Sequence, residues 1–183
     1  FRQLVRDNQD NHYAMLRQQG RMHEDISRLV SELFYNNQLT ILPDDVPRSR
    51  EQKAALPTQL LQHGSSAMEK ILAVNRLVFI DAPADDEFNI KKSSPKEAEI
   101  VRQVLLALKK IYGKAFIAEE IGIITPFKAQ IATIRNALAD DPSLAGIKTD
   151  TVERYQGGSK SIIILSMSVG STFTLKQIIN ENA

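Results

Sequence analysis

Apolar residues recur every three to four positions between 24 and 35. Ile26, Leu29, Val30, Leu33 and Phe34 fall on one face, which predicts an amphipathic helix. Asn36-Asn37 predicts its end, because asparagine tolerates left-handed backbone at a helix terminus. A short apolar run at 13–16 predicts a strand ahead of it. Residues 40–69 are weakly periodic and hold Pro43, Pro47, Pro57 and Gly64-Ser65-Ser66, so they read as a long surface connection or a small insertion. The β-branched and aromatic run at 77–81 predicts a strand, followed by a loop with opposed charge clusters, Asp85-Asp86-Glu87 and Lys91-Lys92.

A helix start follows. Ser94 reads as the N-cap, Pro95 takes the first helical position, and Glu97 completes a capping box. Ile100, Val101, Val104, Leu105, Leu108 and Ile111 form its apolar face, and Gly113 ends it. Residues 121–124 predict a buried strand, and Thr125-Pro126 the start of a helix with Ile131, Ile134 and Leu138 facing inward. Asp141-Pro142 breaks that helix. Strands at 147–149 and 162–166 complete the pattern, the last the most apolar of all. Continuous apolar strands separated by helices imply an α/β fold whose mainly parallel sheet is covered on both faces.

A chain of 183 residues fits one domain with room for a small insertion, and 43% hydrophobic residues supply a core. Charge is nearly balanced, 23 Lys+Arg against 22 Asp+Glu, for a net +1. Binding to nucleic acid therefore has to come from a local patch. The sequence has no cysteine, which excludes disulfides, thiolate metal sites and cysteine nucleophiles and fits a cytoplasmic location. The apolar runs are short and interrupted by charge, so no membrane span is expected. Phe1 is not a start methionine, no secretory pattern opens the chain, and a piece of a longer protein is the natural reading.

The candidate chemistry lies in a polar turn before the last strand. Thr151, Arg154 and Gln156 can each hydrogen-bond to phosphate or sugar, and Gly157-Gly158 allows close backbone approach to a ligand. Two other segments accompany it, Gln19-Gly20-Arg21-Met22-His23 and Ile121-Gly122-Ile123-Ile124-Thr125-Pro126-Phe127-Lys128-Ala129-Gln130. In order and spacing, the three together resemble the second RecA-like domain of superfamily 1 helicases. The nearest branch is the one that includes the RNA helicase of nonsense-mediated decay and the helicase-nuclease of Okazaki-fragment maturation. The resemblance implies a RecA-like, three-layer α/β/α domain of the P-loop NTPase type, lacking the phosphate loop itself.

What the resemblance implies for individual residues follows motif by motif. The first segment is similar to the family's Q-Y-R-M-H-P, in which the arginine reaches nucleotide phosphates across an interdomain cleft. Arg21 is accordingly the catalytic candidate, and Gln19 and Arg21 are nucleotide-binding candidates. A permanently charged guanidinium suits the charge that develops in phosphoryl transfer. His23 is expected to brace the helix start. The second segment is similar to V-G-V-I-T-P-Y-x-x-Q, which lies along the nucleic acid and makes Thr125, Pro126 and Gln130 strand-contact candidates. Thr125 would stand at the carboxyl end of a strand, where ligands bind in open α/β sheets. The third is similar to T-V-D-x-F-Q-G-x-E-x-D-x-I-I-x-S. It assigns Thr151 to nucleic acid and Gln156 and Gly157 to the nucleotide, while Arg154, exposed by its position in the turn, is the local cation best placed for a nucleic-acid phosphate. A solvated arginine, a bare helix cap and a solvated turn are the plain structural alternatives for the three segments.

Departures from the family pattern bear on the nucleotide side. Gly20 replaces a tyrosine that stacks on adenine, an interaction of about 1–3 kcal/mol per base. Glu24 replaces a proline, and Ser159 and Ser161 replace a glutamate and an aspartate. The sequence contains no G-x-x-x-x-G-K-[ST] phosphate loop and no acidic pair ending a strand. In the family both belong to the first RecA-like domain, and a later arginine motif follows the last strand seen here. The resemblance thus implies an ATP-dependent helicase or translocase on single-stranded DNA or RNA, with 5′-to-3′ polarity. ATP and magnesium would be held mainly by the first RecA-like domain, and the present chain alone would not hydrolyse ATP. No metal site of its own is expected. A catalytically degenerate domain serving as a nucleic-acid or protein platform is the alternative. An unrelated doubly wound enzyme for a small nucleotide would need a glycine-rich loop after an early strand, which is not seen.

Overall fold

The computed structural model describes residues 15–56, 58–61, 64–83, 92–155 and 160–168. They form two compact units. One comprises the described residues up to Leu56 together with Val74–Leu77, and the other those of Pro57–Ala73 and from Val78 onward.

In the first unit, α1 spans Glu24–Phe34. The Nδ1 of His23 accepts from the Asp25 N–H at 3.1 Å and caps the helix, as its expected bracing role requires. Asn36 and Asn37 follow with φ of 49° and 61°, the left-handed stop expected from their side chains. Ser31, buried on α1, both donates to the Leu39 carbonyl and accepts from the Leu39 N–H, which folds the chain back along the helix. Of the strand predicted at 13–16, Tyr13 and Ala14 lie outside the described residues, and Met15 and Leu16 are irregular. The parallel bridge falls slightly later, between Gln18 and Thr40.

The span 40–69 carries more structure than its weak periodicity suggested. It contains 3-10 turns at Pro47–Lys53 and Thr58–Leu60 and the start of α2, Ala67–Val74. Its Ser49 and Gln52 are buried.

The second unit is built on α3, Pro95–Tyr112, and α4, Lys128–Leu138, packed against each other and against a parallel three-stranded sheet. The strands are β1, Ile121–Ile124, β2, Lys148–Asp150, and β3, Ile162–Leu165, in the order β2-β1-β3. Ile123 pairs with Thr149 on one side and Ile164 on the other. The expected α/β class, with a RecA-like parallel arrangement, is what these residues form. Val101, Leu105 and Leu108 of α3, Ile121 and Ile123 of β1, and Ile134 and Leu138 of α4 make one apolar cluster. Each such aliphatic side chain contributes about 1.5–3 kcal/mol by its burial.

The ends of α3 follow the sequence, with one change. Ser94 Oγ accepts from the Glu97 N–H at 3.1 Å, and Gly113 closes the helix at φ 51°. The Glu97 carboxylate does not complete the box; it accepts from the Ser168 N–H at 2.8 Å instead. Gln130 takes the place it leaves, accepting from the Ser94 N–H at 2.8 Å. In the last turn, Lys109 pairs with Asp141 at 3.1 Å and Lys110 with Glu69 at 3.5 Å, cations set where the helix dipole is negative.

Three other expectations are corrected. Residues 77–81 are not a strand: Phe79 is 92% exposed, and no ladder partner is found among the described residues, so the β-prone run has no edge to pair with. The helix expected at Pro126 begins at Lys128, because Phe127 is still extended and serves as its N-cap residue. Strand β3 is not covered on both faces, for Ile163 and Leu165 are 44% and 64% exposed while Ile162 and Ile164 pack on the core.

Candidate nucleic-acid interface and arginine turn

The turn at 19–22 is organised by two glutamines. Gln19 Oε1 accepts from the Arg21 and Met22 N–H groups at 2.8 and 2.7 Å, and its Nε2 donates to the Met22 carbonyl at 3.0 Å. Gln52, buried, donates from Nε2 to the Gln19 and Met22 carbonyls and accepts from the Leu42 N–H through Oε1. With both turn glutamines spent on the backbone, the Arg21 side chain is left exposed. The guanidinium has no ion-pair partner among the described residues. Gly20 sits against Leu42: a Cβ built there would come within 2.9 Å of Leu42 Cδ1, so leucine packing fills the space beside this position. Gln52 was not legible as part of this site, since it lies thirty-odd residues away in a weakly periodic stretch.

The other two segments meet at the carboxyl ends of the parallel strands. Thr125 follows β1, with its N–H donating to the Asp150 carbonyl at 3.2 Å, and Ser166 follows β3, with its N–H donating to the Ile124 carbonyl at 2.9 Å. Thr125 and Gln130 are both 0% exposed. Thr125 Oγ1 accepts from the Phe127 N–H at 3.4 Å. Besides accepting from Ser94, Gln130 donates to the Ser94 carbonyl at 3.2 Å and to Ser166 Oγ at 3.1 Å. These two motif residues therefore brace the strand ends from within. Pro126 is exposed, and Phe127 lies under the Lys92 ammonium, 5.2 Å from the ring centre.

Beyond β2, Asp150 anchors the turn that carries Thr151 and Arg154. Its Oδ1 accepts from the Thr151 N–H at 3.0 Å and lies 3.8 Å from Arg154 Nε. A hydrogen bond from the Thr151 hydroxyl holds the Glu153 carboxyl below its ordinary range. Tyr155 locks the turn to the sheet. Its hydroxyl donates to the Lys148 carbonyl, the Lys148 ammonium lies 4.8 Å from the ring centre and donates to the Arg154 carbonyl at 3.2 Å, and the ring packs over Gly122. Burial pushes the Tyr155 phenol above its usual value, against a backbone hydrogen bond from Ile123 and with the Asp150 charge. Gln156 and Gly157 lie outside the described residues.

Between this turn and α4 lies a cleft of about 420 Å³. Lys128, Arg135 and Arg154 bring three cations to it, against the single carboxylate of Asp150, with Thr151 and Ile131 between them. In a chain of net +1, this cleft is a local concentration of positive charge. Lys128 lies within the second segment, where the sequence already offers it as added charge; Arg135 has no signal in the sequence that marks it as a site residue. A second cleft, of about 500 Å³, lies at the amino ends of β1 and β2 near Glu119 and Gly146. No cluster of potential metal ligands occurs among the described residues, and no helix there is long and apolar enough to cross a membrane.

The sequence pattern of an AAA domain family matches residues 1–175. The chain belongs to this family. Its relatives include the DNA polymerase alpha-associated DNA helicase A of Schizosaccharomyces pombe, 29% identical over 180 residues that cover 91% of this chain and 24% of the relative. The DNA replication ATP-dependent helicase/nuclease DNA2 of Xenopus laevis is 26% identical over 91% of this chain and 16% of its own length. The DNA-binding protein SMUBP-2 of Mesocricetus auratus is 27% identical over 83% of this chain and 14% of its own length. The chain thus spans a quarter or less of the curated relatives described here. These relatives are superfamily 1 helicases of the branch that the three motifs resemble, and the chain is a helicase-related domain.

Proposed function

We propose that this chain is the second motor domain of an ATP-dependent DNA or RNA helicase or translocase. The observation that carries this reading is the juxtaposition of the second and third motif segments at the carboxyl ends of parallel strands, beside a cationic cleft. That is where an α/β sheet presents its ligands. In this reading, Thr151 and Arg154 hold backbone phosphates of a single strand, and Pro126 borders the track. Thr125 and Gln130 act from beneath, fixing the strand ends so that the exposed groups keep their spacing. Arg21 extends from its glutamine-braced turn toward the phosphates of ATP, which with magnesium is bound mainly by the first RecA-like domain of the same protein. Gln19 shapes that turn, and Gln156 and Gly157 link the nucleotide to the strand track. The chain on its own, without a phosphate loop in its sequence, does not hydrolyse ATP.

A non-catalytic platform is favoured by one observation. Gly20 offers no ring to stack on a base, and Leu42 fills the space beside it. The deciding experiment for strand binding is fluorescence anisotropy with labelled single-stranded oligonucleotides at low and physiological salt. Salt-sensitive binding that Thr151→Ala and Arg154→Ala both weaken supports the motor reading. Unchanged binding in both variants places the strand elsewhere and favours the platform.

A further inference from the structure

We infer that the strand track continues along α4, where Lys128 and Arg135 form a second pair of phosphate contacts opposite Thr151 and Arg154. This rests on the proposed single-strand binding; Lys128 lies at an unspecified position of the second motif segment, and Arg135 lies beyond it. Lys128 and Arg135 are seven residues apart on one helix, which puts them on the same face about 10 Å apart along its axis. Both line the cleft, and Ile131, one turn after Lys128, lines it between them. The resulting order, cation, aliphatic, cation, suits a phosphodiester chain. Its phosphates meet the two charges, and the less polar face of a sugar or base lies over Ile131.

The orientation of Arg135 is set by the sheet. Its Nη2 donates to the Thr149 carbonyl of β2 at 3.0 Å, which draws the side chain toward the turn and leaves other donors of the fork without a partner among the described residues. Neither Lys128 nor Arg135 pairs with a carboxylate among the described residues. The facing carboxylate, Asp150, is engaged by the Thr151 N–H and Arg154, and Glu153 by the Thr151 hydroxyl. The shared ligand chemistry is the phosphodiester backbone of single-stranded DNA or RNA, for which a cleft with three cations and one paired carboxylate is complementary.

The test is equilibrium binding of an oligothymidylate and an oligouridylate to the whole chain across a salt series, comparing wild type with Lys128→Gln, Arg135→Gln, Arg135→Lys and the double glutamine variant. For single strands, each phosphate contact contributes about 0.7 to the slope of log affinity against log salt. Each glutamine variant is expected to flatten the slope by about 0.7, and the double variant by about 1.4. Arg135→Lys, which keeps the charge but gives up the fork, is expected to retain the wild-type slope. Equal effects on both oligonucleotides assign the contacts to phosphate; an effect on the oligouridylate alone overturns a backbone track in favour of recognition of the 2′-hydroxyl. If the wild type binds and Thr151→Ala weakens binding, while both glutamine variants keep the wild-type slope, the α4 track is overturned and the motor reading stands. If the wild type binds neither oligonucleotide at low salt, both fail. A fall in the slope of Arg135→Lys equal to that of Arg135→Gln would assign Arg135 a purely structural role, and circular dichroism of each variant identifies any loss of folding.

Discussion

Gln130→Ala gives the sharpest test of how the strand ends are held together. The side chain is wholly buried and reaches three groups on two other segments: the N–H and carbonyl of Ser94 at the start of α3, and the hydroxyl of Ser166 after β3. Not all three are equally exposed to its loss. The Ser94 carbonyl still accepts from the Ala98 N–H at 3.0 Å, so it keeps a partner. The Ser94 N–H does not; it becomes a buried donor with no acceptor, at about 1–3 kcal/mol. The Ser166 hydroxyl loses one ordinary hydrogen bond, about 0.5–1.5 kcal/mol. Together these predict a destabilisation of about 2–4 kcal/mol, before any relaxation of the small cavity. The assay is urea unfolding followed by circular dichroism. The midpoint should fall with the slope unchanged, which separates lost stability from a change in the unfolded state. A companion, Ser166→Ala, removes only the weaker bond and should cost about 1 kcal/mol. If Gln130→Ala costs less than Ser166→Ala, the glutamine is not the brace described here, and its matching position in the motif has to be explained by direct contact with ligand.

Four further outcomes follow from particular residues. Gly122→Ala would place a Cβ within 3.0 Å of the Tyr155 ring and hydroxyl and 3.1 Å from Ile163, so it should destabilise the chain by about 1–3 kcal/mol and weaken oligonucleotide binding by displacing the turn that carries Arg154; both are read by melting and anisotropy. Thr149→Val removes a buried hydroxyl that has no hydrogen-bond partner among the described residues, and should leave stability unchanged or raise it by about 1 kcal/mol in urea. Hydrogen bonds from Ser143, then the Lys109 ammonium, hold Asp141 below the ordinary carboxylate range. The stabilisation is present above the unfolded value near pH 4 and is lost as pH falls through the lower folded value, so Asp141→Asn should flatten the acid limb of a stability–pH profile. Arg21→Ala should leave the melting temperature of this chain unchanged, since the residue is exposed. In a protein that also carries the phosphate-loop domain, it should lower kcat for ATP by about 10³-fold or more, measured by phosphate release.

Much of the secondary structure was open to reading along the chain because its causes are local. The 3.6-residue period of α3, the Ser94 cap, the Gly113 stop and the paired asparagines after α1 each depend on residues within a turn or two of one another. Where the structure departs from these local patterns, the deciding partner is distant in the chain. Residues 77–81 have strand composition, yet a strand exists only with a neighbour to bond, and none is found among the described residues. The capping box around Ser94 keeps its first half, the Ser94 hydroxyl on the Glu97 N–H, and loses its second to Gln130, 36 positions away.

The motifs and the family they belong to were determined by the sequence alone, because type and spacing of polar residues around apolar strands survive without any knowledge of packing. Only the tertiary structure decided how those residues divide their labour. Thr125 and Gln130 look no more buried in the sequence than Thr151 and Arg154. The fold seals the first pair beneath the strand ends and leaves Arg154 in an open cleft. Burial is a property of what packs above a residue, and that comes from segments far away in the chain. For the same reason Gln52 and Arg135 gained their places only when the chain closed on itself: a side chain's partners are set by distance in space, to which the order of residues is a guide over one or two turns and no further.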